Sequence, residues 1–282
     1  MSDFHWYPGH MAKAKRAIAE DLKLIDVIIE LTDARAPLSS RNPDIDAMAN
    51  GKMQILVMSK SDLSENSGNT AWTEYFRSMG HDAACVDLKT GNGMSRVKSL
   101  LVDAASKKHE KDKKRGIRMQ RPLRALVCGI PNVGKSTFIN SMAKKNVAKT
   151  GNKPGVTKGK QWITVSKGIE LLDSPGLLWP KIEDERAALN LALLGSMNDE
   201  VIDLERLTSE LTGILKARYL QLLSKLYGVS EEDDTEAVLS KIADEMNMLQ
   251  KGGLPDRERA KQFLIDSFRS GKLGRITLEL PE

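Results

Sequence analysis

The sequence predicts an α/β protein, with a doubly wound, mostly parallel sheet built around a phosphate-binding loop and a smaller all-α C-terminal domain behind it. Three observations support this prediction. Short β-branched apolar runs alternate with amphipathic runs as far as Trp179. One of these apolar runs leads into a glycine-rich loop that ends at Ser136. Beyond Pro180 the strand patterns stop, and apolar residues recur at the three- and four-residue spacing of helices.

The first half of the sheet is predicted from segments that precede the glycine-rich loop. β-branched apolar runs predict strands, and amphipathic runs predict helices. In chain order these are a helix at 11–22, strands at 25–33 and 53–62, a helix at 71–80, a strand at 82–88 and a helix at 94–108. Strands separated by helices in this way pair in parallel.

The second half of the sheet begins with a strand at 124–129, which runs into the glycine-rich loop and a helix at 136–145. Residues 161–176 predict two strands with a turn near Gly168. The all-α domain is predicted from amphipathic segments at 184–197, 203–228, 235–249 and 256–271. We therefore expect a sheet domain at 1–182, made of halves at 1–106 and 124–182 with a basic linker at 107–123, and a helical domain at 183–282.

Composition and charge predict a globular protein and argue against a membrane-spanning or secreted one. Hydrophobic residues make up 40% of the chain and charged residues 29%, as in globular proteins. We find no apolar run long enough for a membrane span and no signal-peptide pattern, which predicts a cytoplasmic protein without a membrane partner. Between Lys107 and Arg124, nine lysines and arginines stand against two acids. This stretch is either a solvated linker or a contact to the phosphates of a polyanion.

The segment from Gly129 through Gly134 to Lys135 and Ser136 matches the complete phosphate-loop pattern. Backbone N–H groups of such a loop surround the β-phosphate of a nucleotide, and the lysine reaches the β- and γ-phosphates. The Ser136 hydroxyl is the ligand type that Mg²⁺ takes in these loops. Because a strand precedes the loop and a helix follows it, this is the most specific signal in the chain.

Two later segments fit the same site. Asp173 ends a predicted strand, with Gly176 three residues on, as a carboxylate near Mg²⁺ and an N–H facing the γ-phosphate require. Thr157 stands between Gly155 and Gly159, in a loop suited to close on Mg²⁺ and the γ-phosphate. Both assignments depend on the phosphate loop upstream of them.

A Lys-x-Asp sequence lies at the end of the second predicted strand, as Lys60 and Asp62. This spacing at a strand end is typical of guanine recognition, in which the aspartate accepts from the base N1–H and exocyclic amine. The lysine packs over the ring. In a doubly wound fold this strand end lies at the same edge as the phosphate loop. The sequence therefore predicts a guanine-nucleotide site with its base-recognition half first.

The order of these motifs resembles that of the circularly permuted GTPases, most closely the ribosome biogenesis GTPase A (YlqF) family. The motifs are WYPGHMAKAKR, TDARAP, SKSD, GIPNVGKST, PGVTKG, DSPG and the closing FRSGKLGRITLE. The resemblance covers nearly the whole chain. It implies one circularly permuted G domain and a C-terminal helical domain that binds RNA.

The resemblance also implies the site residues. Expected contacts to GTP or GDP are Ser59, Lys60, Asp62, Asp87, Leu88, Asn132, Val133, Gly134, Lys135, Ser136, Thr137, Thr157 and Gly176. Expected Mg²⁺ ligands are Ser136, Thr157 and Asp173, and expected catalytic residues are His10, Lys135 and Thr157. In relatives with K⁺-stimulated hydrolysis, the residue at Asn132 helps to hold a potassium ion beside the phosphates.

Three motifs depart from the usual GTPase pattern. Ser59 stands where most GTPases have an asparagine that ties the base loop to the phosphate loop, which predicts weaker guanine binding but, with Asp62 kept, unchanged specificity. Asp87 and Leu88 begin a loop that is usually Ser-Ala-Lys. Leu177 stands where many GTPases have a water-orienting glutamine, so the resemblance implies that His10 is brought to the γ-phosphate instead.

For function, the resemblance implies a GTP-binding and GTP-hydrolysing switch in late assembly of the large (50S) ribosomal subunit. GTP would favour docking on rRNA, and hydrolysis, stimulated by the subunit, would release the protein. An alternative is a nucleotide-gated RNA-binding scaffold with vestigial hydrolysis, suggested by Leu177 and Ser59. A GTPase acting on tRNA is a third hypothesis, and the N-terminal motif and the missing modification domain argue against it. No DNA partner and no obligate oligomer are expected.

Overall fold

The computed structural model describes residues 22–49, 51–117, 121–144, 161–173, 182, 184–197 and 203–281. The predicted helix at 11–22 lies almost entirely outside these residues, and His10, Thr157, Gly176 and Leu177 lie outside them. The chain forms two compact units, one of Met1–Ala188 with Glu279–Glu282, and one of Leu189–Leu278. The functional domain limits given above remain predictions.

The first unit contains a six-stranded sheet in the order β3-β2-β1-β4-β6-β5. The strands are β1 (Val27–Asp33), β2 (Met53–Ser59), β3 (Asp82–Cys85), β4 (Leu123–Gly129), β5 (Gln161–Ser166) and β6 (Ile169–Asp173). All neighbours pair in parallel except β5 and β6, which form an antiparallel hairpin. The predicted mostly parallel α/β sheet is therefore confirmed, and the pairing of β1 with β4 joins its two halves.

The centre of the sheet is deeply buried. Every residue of β1 is buried, as expected of a parallel strand covered on both faces. β2 ends at Ser59 and not at residue 62, because Lys60 has a positive φ of 57° that interrupts the extended backbone. β3 ends at Cys85 and not at residue 88, because the chain enters a turn in which the N–H of Asp87 donates to the carbonyl of Asn92.

The helices of the first unit connect these strands. They are α1 (Pro43–Ala49), α2 (Asn66–Ser78), α3 (Met94–Lys114) and α4 (Lys135–Ala143), with α5 (Glu185–Leu193) at the division between the units. α3 buries an apolar stripe that includes Val97, Leu101 and Ala104. It continues past residue 108 to Lys114, so residues 107–114, predicted as linker, are helical.

The second unit contains the predicted C-terminal helices, α6 (Leu204–Tyr227), α7 (Thr235–Glu245) and α8 (Arg257–Ser270). An aspartate caps the N-terminus of each: Asp203, Asp234 and Asp256 accept from backbone N–H groups of the first turn. In the described part of the chain, no helix combines the length and hydrophobicity needed to cross a membrane.

Glu279, near the C-terminal end of the chain, forms hydrogen bonds to the loop that follows β1. The Glu279 carboxylate accepts from the backbone N–H groups of Leu38 (2.6 Å) and Ser39 (2.9 Å) and from the Ser39 hydroxyl. The Glu279 carbonyl accepts from the indole N–H of Trp72 at 2.9 Å. The loop at the end of the central strand is therefore held from the C-terminus of the chain.

Candidate nucleotide-binding site

The carboxyl ends of four strands bring the predicted site residues to one edge of the sheet. Asp33 at the end of β1 pairs with Ser59 at the end of β2. Leu31 in β1 pairs with Gly129 at the end of β4, and Val127 in β4 pairs with Asp173 at the end of β6. Ligands of open α/β sheets bind at this edge.

The phosphate loop has the backbone that its glycines permit. A Cβ on Gly129 would lie 2.4 Å from the carbonyl oxygen of Leu31, so no larger residue fits beside β1. Gly134 has a φ of 97° and precedes the first residue of α4, and Asn132 also has a positive φ of 59°. Turns of this kind direct successive N–H groups to one side, next to the positive end of the helix dipole. The loop therefore has the backbone conformation of an anion-binding turn.

Lys135 lies buried inside this loop. Its Nζ donates to the carbonyl oxygen of Ile130 at 2.6 Å. Burial lowers the pKa of Lys135 to about 8, although the negative charge of Asp173 acts in the opposite direction. The loop therefore contains a poorly solvated ammonium group, which a phosphate would stabilise.

Ser59 connects the base-recognition segment to the phosphate loop. Its hydroxyl is buried and donates to the carbonyl oxygen of Val133 at 2.6 Å, and the carbonyl oxygen of Thr32 lies 3.0 Å away. The serine hydroxyl thus makes the tie that the usual asparagine makes. The tie that the sequence predicts to be weakened is present, while the predicted loss of guanine affinity remains a prediction.

The loop after β3 lies against the phosphate loop. The Asp87 carboxylate accepts from the Lys89 N–H at 2.8 Å and from the Thr90 hydroxyl at 2.6 Å, which fixes a tight turn. Burial alone would raise the pKa of Asp87, but these hydrogen bonds hold it below its ordinary value. A Cβ on Gly134 would lie 3.1 Å from Cδ1 of Leu88, so this side chain borders the phosphate loop.

The two side chains predicted to recognise the base are held by ion pairs. Asp62 forms a salt bridge to Lys89 with 3.0 Å between Oδ2 and Nζ, at the protein surface. Lys60 forms a salt bridge to Asp33 with 2.9 Å between Nζ and Oδ2. The motif TDARAP carries Asp33, yet the sequence reasoning gave this residue no role. The signal available was the position of Asp33, a charged residue at the last position of a predicted strand.

Comparison with known proteins agrees with this geometry. Residues 124–237 match the family model described as "50S ribosome-binding GTPase". Ribosome biogenesis GTPase A of Bacillus cereus is 42% identical over 278 residues, 98% of this chain and 94% of the relative. The chain belongs to the ribosome biogenesis GTPase A family. The Thermotoga maritima member is 32% identical over 277 residues, 98% of this chain and 94% of that relative.

Solved structures of the family share the fold. GNP-bound YlqF from Thermotoga maritima superposes with a TM-score of 0.66 at 29% identity, covering 96% of this chain and 99% of that one. GDP-bound YlqF gives a TM-score of 0.67 at 27% identity, covering 94% of this chain and 99% of that one. As a member of the family, the chain is a GTPase that acts in ribosome biogenesis and binds guanine nucleotides, as predicted.

Two of the residues predicted for Mg²⁺, Ser136 and Asp173, lie within the described part of the chain and suit that ion when a nucleotide supplies most of its ligands. Ser136 lies in the first turn of α4, and Asp173 is buried at the end of the neighbouring strand β6. Among the described residues, no cluster of three His, Cys, Asp or Glu side chains forms a metal cage. One hydroxyl and one carboxylate beside a phosphate loop suit Mg²⁺, which keeps several waters and phosphate oxygens in its shell.

Proposed function

We propose that this GTPase acts in the cytoplasm in late assembly of the large (50S) ribosomal subunit, binds the rRNA of that subunit and is activated by it. The observation that carries the proposal is the match to a 50S ribosome-binding GTPase model over residues that begin with β4 and the phosphate loop. The names of the relatives, ribosome biogenesis GTPase A, support the same process.

The last three turns of α3 offer a surface for rRNA. Lys107, Lys111 and Lys114 follow one another at helical spacing, and all three side chains are exposed. Within the described residues none of the three forms a salt bridge, whereas their neighbour Lys108 is buried and pairs with Asp112 at 2.6 Å. A row of unpaired lysines favours phosphate contacts through counterion release. Such contacts hold the protein on RNA, while the shape of the RNA sets where it binds.

Reversing these three charges should weaken binding to the large subunit. For the Lys107→Glu, Lys111→Glu, Lys114→Glu variant loaded with a GTP analogue, we expect affinity in co-sedimentation to fall by about tenfold or more, with a shallower salt dependence. A matched control reverses three exposed charges elsewhere in the first unit, Lys23, Arg96 and Lys98. Two of these control residues lie in the first turns of α3, so equal binding of both variants would show that the three lysines at its other end are only solvated.

Hydrolysis requires residues from both halves of the G domain. Lys135 would hold the β- and γ-phosphates, and the Gly176 N–H would face the γ-phosphate. Ser136, Thr157 and Asp173 would hold Mg²⁺, which when bound neutralises charge on the phosphate oxygens. The residue after Gly176 is Leu177, which cannot orient water, so the mechanism needs a polar group from another segment.

His10 is that group in our proposal, because it stands in the N-terminal motif YPGHM and its imidazole can orient a water molecule at the γ-phosphate. Replacing His10 with alanine should lower GTP turnover by more than about tenfold while GTP affinity stays nearly intact. His5→Ala is the matched control, since it removes a histidine five positions earlier that no motif supports. Unchanged turnover in His10→Ala would reject the assignment.

We also propose a potassium ion near Asn132. Its positive φ places this residue in the turn of the phosphate loop. A cation there would add positive charge where other GTPases use an arginine finger. Turnover should be faster in K⁺ than in Na⁺ buffer, and equal rates would count against the ion.

The alternative function is an RNA-binding scaffold whose hydrolysis is vestigial. Leu177 favours it, because the usual water-orienting side chain is missing from that position. Ser59 does not favour the scaffold, because its hydroxyl ties the base loop to the phosphate loop. A scaffold would bind the subunit in a nucleotide-dependent way without faster hydrolysis on it.

A further inference from the structure

Asp33 is a buried carboxylate that contacts two cations. Its side chain is 1% exposed. Arg35 contacts both oxygens, from Nε to Oδ1 at 2.9 Å and from Nη2 to Oδ2 at 2.9 Å, and Lys60 contacts Oδ2 at 2.9 Å. Burial alone would raise the pKa of Asp33, but Arg35 and Lys60 together hold it far below its ordinary value. The carboxylate is therefore ionised wherever the protein is folded near neutral pH.

We propose that Asp33 is a positioning residue for guanine binding, which holds Lys60 in the orientation from which its aliphatic chain covers one face of the base. The inference rests on the proposed role of Lys60 in base recognition. A lysine loses considerable rotamer entropy when it is ordered. An ion pair formed before the nucleotide arrives removes that cost from binding.

The backbone at both ends of this ion pair is fixed. The Asp33 N–H donates to the Ser40 hydroxyl at 2.9 Å, and the Ala34 N–H donates to the Ser59 carbonyl at 2.8 Å. Lys60 has a positive φ, a conformation that costs energy for a residue with a side chain and persists where its surroundings enforce it. The salt bridge to Asp33 is one such constraint, because it ties the end of the side chain to the neighbouring strand.

A purely structural role for Asp33 would need only Arg35. Glu30, the other buried acid of β1, shows that arrangement. Among the described residues Arg41 is the one cation that contacts it, at 3.1 Å, and its other oxygen accepts from the Asn42 N–H. At Asp33 the bidentate salt bridge from Arg35 already neutralises the charge of the carboxylate. The second cation is Lys60, which belongs to the predicted base-recognition loop. A residue that positions this loop must contact it in this way.

A double-mutant cycle tests this inference through the affinity for a fluorescent GDP analogue. Lys60→Met and Asp33→Asn should each weaken binding by about tenfold, the order expected for one charged contact. In the Lys60→Met background, Asp33→Asn should add less than about twofold, because its effect passes through Lys60. Additive losses would overturn the inference.

Glu30→Gln is the matched control, since it alters a buried acid of the same strand that does not contact Lys60. The GDP affinity of this variant should equal that of the wild type.

The Asp33→Asn variant removes the carboxylate that pairs with the buried Arg35, which destabilises folding. If that variant is not folded by circular dichroism, Asp33→Asn with Arg35→Met removes the buried cation and still releases Lys60. If Lys60→Met binds GDP like the wild type, the proposed role of Lys60 fails, and the inference fails with it. If Lys60→Met weakens binding and the folded Asp33 variants do not, the inference alone fails.

Discussion

Replacing Asp62 with asparagine should exchange guanine for xanthine as the preferred base. The carboxylate offers two acceptors to the N1–H and the exocyclic amine of guanine, whereas an amide offers one acceptor and one donor. Xanthine carries a carbonyl oxygen where guanine carries the amine, so the amide complements it. We expect affinity for GDP to fall by about a hundredfold or more, because a buried donor loses its partner, and affinity for xanthosine diphosphate to rise. Competition binding with both nucleotides measures the change.

Asp82→Asn is the control for this exchange, because Asp82 is an exposed aspartate at the start of β3 whose loss changes the net charge equally. It should bind both nucleotides like the wild type. Asp62 pairs with Lys89 at the surface, an interaction of low energy that a base can displace. An unchanged preference for GDP in Asp62→Asn would mean that the base is read by other residues.

Nucleotide affinity should fall as the pH rises above 8, because of Lys135. Without nucleotide, burial holds the pKa of this residue at about 8, below its ordinary value. The phosphates of a bound nucleotide raise that pKa. Below pH 8 the Lys135 amine is already charged before the nucleotide binds, so the nucleotide affinity is at its maximum there. Above pH 8 the amine must take up a proton when the nucleotide binds, and the affinity falls by up to about tenfold per pH unit. Titrations of GDP between pH 7 and pH 9 measure the slope.

Lys135→Arg is the control for the pH dependence. Arginine stays charged throughout this range, so its weaker binding should not change with pH through this group. Ionisation of the guanine base itself would appear in both proteins and cancel in the comparison. A wild-type affinity that is flat from pH 7 to pH 9, or an equal slope in both proteins, would contradict the account of a desolvated lysine.

The sequence predicts the elements of this fold better than the contacts between them. β1 and β4 are recognisable because each contains a short run of apolar residues, as a buried parallel strand needs, and the phosphate loop is recognisable because its turn needs glycine. The predicted end of β2 at residue 62 was wrong, because the positive φ of Lys60 depends on its tertiary contacts and not on the local sequence. Residues 107–114 were predicted as linker because they contain no apolar residue, and the apolar stripe that α3 buries ends before them.

The two contacts that support Ser59 and Lys60 depend on strand order. The Ser59 hydroxyl bonds to the carbonyl oxygen of Val133, a backbone atom that no motif specifies. Asp33 meets Lys60 only because β1 and β2 are parallel neighbours whose last residues are in register. Neither contact follows from periodicity or spacing, so sequence reasoning placed Ser59 and Lys60 in the site without their supports.

The most direct test of the central claim is GTP hydrolysis by the wild-type protein at multiple turnover in K⁺ buffer, alone, with purified large ribosomal subunits and with small subunits. We expect strong stimulation by the large subunit and none by the small one. Nucleotide-dependent binding to the large subunit without faster hydrolysis would contradict the account of a subunit-activated GTPase and establish the scaffold instead.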